Sequence, residues 1–133
     1  MYGSKQGRYE TPVELTEAEI VEIKSGFVQA ARRAEQAGFD GVEIHCANGY
    51  LLDQFLTPET NHRAAPYGGS VENRIRLTSE IIAEVRATCA RDFVVGVRLS
   101  QAKATQPDYF WAGGLDDAAR IFSAVAKAGA GFI

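Results

Sequence analysis

Cysteine is scarce in this chain, and what little there is excludes several classes of protein. Cys46 and Cys89 are the only two among 133 residues. A single pair makes no disulfide framework, and no cysteine or histidine follows at zinc-ligand spacing. Charge of either sign is also weak: the formal net charge is −3, which gives no basic surface for nucleic acid or for an anionic membrane. No apolar run reaches the roughly 18 residues of a membrane span, and the first twenty residues lack the apolar core of a signal peptide. These absences lead us to expect a soluble, cytoplasmic protein with no nucleic-acid or membrane partner. What is present is ordinary for a packed domain, with 46% hydrophobic and 23% charged residues.

Apolar periodicity orders the chain as helix, strand, helix, strand, helix and the start of a strand. Residues 1–14 are polar and aperiodic and read as an irregular entry. Thr16 with Glu19 three residues on is a capping-box pattern. Ile20, Ile23, Phe27, Ala30, Ala31 and Ala34 then give the first helix an apolar face, and Gly38 suits the left-handed position after its end. Gly41–His45 is strand-like. Residues 46–69 hold no sustained pattern and read as a long loop, a feature that in compact domains is usually functional. Ser70 caps a second helix, buried through Ile75, Thr78, Ile81, Ile82 and Val85. Phe93–Leu99 is a β-branched strand of the kind found in sheets covered on both faces. Residues 100–114 form a second long loop. Asp116 and Asp117 open a third helix whose inner face is Ala118, Ile121, Phe122 and Val125, and Gly131-Phe132-Ile133 begins another strand.

Such alternation means an α/β fold with a parallel sheet. Two complete strands cannot cover both faces of such a sheet, and a closed eight-stranded barrel needs about 250 residues. The expectation is one domain segment, residues 1–133, belonging to a partial TIM (β/α)8 barrel. It would act with the remainder of that barrel, and homo-oligomers are also open to it. Alone it would associate with itself and hold no cofactor.

Chemistry concentrates where the first strand ends. Strand alternation sends Val42 and Ile44 toward the helices and Glu43 and His45 the other way, and on the second strand it sends Val95 and Val97 to the helices and Arg98 inward. An inward arginine is costly without an anion, and Glu43 is one available partner. His45 and Asn48 are three residues apart, so a helical turn after the strand would let both donate to one oxygen. Tyr50 adds a phenol of reference pKa ~10 that suits proton donation to a carbanion-like centre. The plainer alternative is a histidine bonded to a loop carbonyl, an asparagine in a turn and a tyrosine packed at the loop base. Other signals are weaker. His45-Cys46 lacks further metal ligands, so no metal site is expected. Tyr67-Gly68-Gly69-Ser70 reads as a simple turn before it reads as a phosphate cradle. Tyr109, Phe110 and Trp111 read as packing before they read as a pocket wall.

Longer stretches carry a family likeness. The text G-F-D-G-V-E-I-H-C-A-N-G-Y-L-L-D-Q-F-L at 38–56, then Asn61-x-Arg63, Y-G-G-S-V-E-N-R at 67–74, V-G-V-R-L-S at 95–100 and Trp111-Ala112-Gly113-Gly114 resembles the old yellow enzyme family. Those are flavin-dependent NAD(P)H oxidoreductases that reduce activated alkenes. The resemblance implies an eight-stranded barrel with FMN at its mouth and NADH or NADPH as reductant. The segment would be about strands four and five, with flanking helices and the start of six. The resemblance assigns His45 and Asn48 to the substrate's carbonyl or nitro oxygen, Tyr50 to protonation of the α-carbon, and Arg98 to the flavin, with His45 also on the flavin side. Arg63-Ala64-Ala65-Pro66 departs from the family's usual Arg-Thr-Asp and lacks that carboxylate. A dienoyl-CoA reductase relative, an amine dehydrogenase relative and a non-catalytic truncated chain are the competing readings. The His-x-x-Asn-x-Tyr pattern favours the alkene reductases over the other flavin barrels.

Overall fold

A computed structural model of the protein describes residues 12–133, so most of the expected irregular entry lies outside the described residues. Helix α1 spans Glu17–Gln36, and its capping box forms as expected: the Thr16 hydroxyl accepts the Glu19 N–H while the Glu19 carboxylate accepts the Thr16 N–H. Gly38 follows at φ +86°, the left-handed turn that releases the chain toward the sheet. Strand β1 (Gly41–Asn48) pairs in parallel with β2 (Val94–Lys103). Helix α3 (Val71–Thr88) connects them, and α4 (Leu115–Lys127) follows β2. Phe132 then makes a single isolated parallel bridge to Gly96, at the position where a third strand is expected to start. The result is an α/β arrangement whose sheet does not close on itself.

Packing explains the sidedness. Ile44, Cys46, Val95 and Val97 of the strands are buried with Ile75, Ile81, Ile82 and Val85 of α3. Helix α3 lies between α1 and α4. Every position expected on the buried side of α3 is buried, Thr78 included, because its hydroxyl finds the Cys46 sulfur at 3.3 Å. The match is looser on the outer helices. Ala30 is exposed, and Phe122 stays 43% exposed while packing edge-on against Trp111. The opposite face of the sheet is open and carries Glu43, His45 and Arg98, as alternation requires.

Two loops differ from expectation. The stretch read as a long loop after β1 contains a helix, α2 (Leu51–Leu56), with Leu52, Asp53, Phe55 and Leu56 buried. Six residues are under two turns, too few to show a period. Both strands also outrun their apolar text, β1 to Asn48 and β2 to Lys103.

Candidate functional site

His45 sits opposite Arg98 in the sheet register, on the open face. The Arg98 guanidinium donates through Nε to Glu43 Oε1 at 2.7 Å, and its remaining N–H groups have no protein partner among the described residues. Five residues beyond His45, the Tyr50 ring lies with its centroid 5.5 Å from the imidazole. His45 and Cys46 point to opposite faces of β1. Cys46 is fully buried, and its thiol is pushed up to about 12, first by burial. A metal held by both is therefore excluded by geometry, and no group of three or more His, Cys, Asp or Glu among the described residues could hold one.

Between His45 and Tyr50 the chain does not make the helical turn that would have put His45 and Asn48 on one face. The strand continues to Asn48, which adopts φ 61°, and Gly49 follows at φ +84°. A non-glycine residue in the left-handed region is uncommon, and asparagine is among the few that tolerate it. The register breaks at the same place: Cys46 pairs with Leu99, but Asn48 pairs with Lys103. Irregularities of this kind re-aim side chains at strand ends. Two left-handed residues, rather than a helical turn, therefore aim the Asn48 side chain.

The turn is tied down through its backbone. Asn48 N–H donates to Ser100 Oγ at 2.8 Å, and its carbonyl accepts Ala104 N–H at 3.1 Å. Gly49 N–H donates to Asp53 Oδ2 at 2.7 Å, and its carbonyl accepts Gln54 Nε2 at 2.9 Å. Tyr50 N–H donates to the Ala47 carbonyl at 3.2 Å. By contrast, the His45 imidazole, the Asn48 amide and the Tyr50 phenol make no hydrogen bond to protein among the described residues. Their backbone is fixed and their polar ends are free.

Beneath the turn, Lys103 Nζ meets Asp53 Oδ1 at 2.5 Å with both side chains out of solvent. Its ammonium also lies 4.7 Å from the centre of the Tyr109 ring. Burial, aided by the Glu59 carboxylate, pushes that phenol up to about 12. Sequence reading missed Asp53 and Lys103. The available signal was a carboxylate inside the apolar hexapeptide Leu-Leu-Asp-Gln-Phe-Leu.

Of the remaining candidates, the Gly-Gly stretch serves structure, while Trp111 lines an open cavity with Glu43 and Arg98. Ser70 caps α3 by accepting Asn73 N–H, and the Gly68 and Gly69 carbonyls accept from Asn73 and Arg74, so the Gly-Gly stretch is a turn. Trp111 is buried, Tyr109 covers Lys103 and Phe110 is exposed. The loop that lacks the usual carboxylate is anchored instead by Asn61, whose amide donates to the Phe55 and Tyr67 carbonyls. No helix among the described residues is long and apolar enough to cross a membrane.

The profile of the NADH:flavin oxidoreductase / NADH oxidase family matches residues 2–130. An NADH-dependent flavin oxidoreductase, iliE, from Hypocrea jecorina is 43% identical over 122 residues, 92% of this chain and 29% of that protein. An NADPH dehydrogenase of Clostridium acetobutylicum is 50% identical over 90 residues, 68% of this chain and 26% of the relative. A cinnamate reductase of Clostridium sporogenes is 49% identical over 88 residues, 65% of this chain and 13% of the relative. The chain thus spans less than a third of each of these relatives. The flavin and nicotinamide chemistry expected from the sequence is that of the family's description and of the relatives' names. With a profile match over nearly its whole length, the chain belongs to the NADH:flavin oxidoreductase / NADH oxidase family.

Proposed function

We propose that these residues form about strands four and five, and the start of six, of an FMN-binding TIM barrel. That barrel would use NADH or NADPH to reduce alkenes activated by a carbonyl or nitro group. One observation carries the reading: among the described residues, His45, Asn48 and Tyr50 hold polar ends with no protein partner on a backbone whose own hydrogen bonds are satisfied. Side chains free of the protein but held in place are arranged to meet a ligand. The relative named for cinnamate, an alkene conjugated to a carboxylate, supports the same substrate class.

In this reading His45 and Asn48 both donate to the substrate's activating oxygen. That oxygen gains negative charge as the double bond is reduced, and two preset donors stabilise it as an oxyanion hole does. Tyr50, beside the imidazole, delivers the proton to the α-carbon. Arg98 fits the flavin: it lies on the open face, its side chain is 60% exposed, and most of its donors are unused. A cation there favours the anionic reduced ring, and His45 lies opposite it in register. When bound, FMN supplies the hydride.

The test is a chimera in which this chain replaces the 122 residues it matches in the Hypocrea jecorina relative. Removing both donors in His45→Ala/Asn48→Ala should weaken binding of a phenol ligand about 30-fold or more, since each lost donor costs about 1–3 kcal/mol. Tyr50→Phe should leave flavin reduction by NAD(P)H intact and slow only alkene reduction. Unchanged phenol affinity rejects the oxyanion site, and equal loss in both half-reactions makes Tyr50 a packing residue.

A further inference from the structure

Asp53 and Lys103 touch none of the groups assigned above, yet they lie directly under them. Each carboxylate oxygen has its own task. Oδ1 takes the Lys103 ammonium at 2.5 Å and the Thr57 hydroxyl at 3.4 Å, while Oδ2 takes the Gly49 N–H at 2.7 Å. Gly49 is the residue between Asn48 and Tyr50. Lys103 comes from the far end of β2, where it pairs in register with Asn48. One buried ion pair therefore joins α2, the turn after β1 and the end of β2.

Two charges with side-chain exposures of 0% and 4% are a poor way to gain stability, because desolvation offsets their attraction. What they gain is geometry. A carboxylate bonded on one side to a fixed ammonium can hold a backbone N–H in one place, and here that N–H follows an asparagine kept at φ 61°. We propose that Asp53 and Lys103 are positioning residues that lock the Asn48-Gly49-Tyr50 turn and so set where the substrate-side donors stand. The catalytic consequence rests on the function proposed above; the lock itself does not.

Two double variants separate position from mere stability. Asp53→Asn/Lys103→Met is neutral but keeps a carbonyl oxygen for Gly49. Asp53→Leu/Lys103→Met is equally neutral and removes that acceptor. Hydrogen exchange read by mass spectrometry, resolved to the Gly49 amide in the 133-residue chain, should be about tenfold faster in the leucine variant than in the asparagine variant. Should the leucine variant not fold, Asp53→Ala/Lys103→Met takes its place. Equal exchange in the two overturns the lock. In the chimera, the leucine variant should lose about tenfold in alkene turnover with flavin reduction unchanged, and the asparagine variant should recover most of it. Exchange that differs while turnover and phenol affinity do not overturns the positioning role. A chimera inactive even without substitution counts against the functional reading alone, because the exchange result stands apart from it.

Discussion

Two ion pairs flank the turn after β1, and they are built on opposite terms. Lys103 and Asp53 meet at 2.5 Å with side-chain exposures of 4% and 0%, while Arg98 and Glu43 meet at 2.7 Å with exposures of 60% and 37%. Distance hardly separates them; surroundings do. In the first pair both carboxylate oxygens are engaged by protein donors, away from solvent. In the second, only one guanidinium nitrogen is engaged among the described residues, and the side chain is 60% exposed. The difference teaches that an ion pair holds structure when dry and complete, and remains available to a ligand when wet and partial. Sequence reading weighed the arginine as the costly charge, whereas the expensive burial belongs to the lysine.

The sharpest way to break this comparison is to orphan one charge of the dry pair. Lys103→Met should lower stability by about 3–5 kcal/mol, because an uncompensated carboxylate stays buried. The midpoint of urea denaturation reads this directly. A loss under about 1 kcal/mol would mean that water reaches Asp53.

A second probe asks how dry that region is. Cys46 lies beside the pair, and burial lifts its thiol from the ordinary 9.0 to about 12. A thiol is neutral when protonated, so a raised folded pKa favours the folded state fully below the unfolded value. That contribution is lost as pH climbs from 9 toward 12, by about 1.4 kcal/mol per unit. Stability followed between pH 8 and 10 should fall by roughly that amount in the native protein, and less in Cys46→Ala once each is referred to its own value at pH 8. Equal slopes would place the thiol in contact with solvent.

The smallest effect belongs to the wet pair. Glu43→Gln should change stability by less than about 1 kcal/mol, as exposed pairs do. Flavin affinity in the chimera makes the contrast useful: Arg98→Met should weaken it, whereas Glu43→Gln should not. Equal losses would make the pair, rather than the arginine alone, the unit that matters.

Much of the frame was legible in local text. The capping box at Thr16 and Glu19, the Ser70 cap and the buried stripe of α3 are signals carried within a few residues, and strand alternation correctly sent Arg98 and Glu43 to the open face. His45 and Tyr50 were rightly grouped, since so few residues separate them. What escaped was of two kinds. Helix α2 has six residues and an acidic one in its buried side, so no apolar period reveals it. The Asp53–Lys103 pair spans 50 positions, and no local pattern names a partner at that distance. The left-handed turn at Asn48 escaped because spacing reports which residues are near, while the backbone angle decides where they point.

The break in strand register has a consequence for redesign. Between its last two pairings β1 advances two residues, Cys46 to Asn48, while β2 advances four, Leu99 to Lys103. The surplus is taken up at residues 100–102, where Ser100 accepts the Asn48 N–H and Gln101 accepts the Trp111 N–H. Trimming one of them would leave His45 facing Arg98, whose pairing lies upstream, but would pull Lys103 off Asp53. In this part of the molecule chain length works as a tuning control separate from residue identity. Under the proposed function, varying the length of residues 100–102 should alter ligand preference without any change to His45, Asn48 or Tyr50.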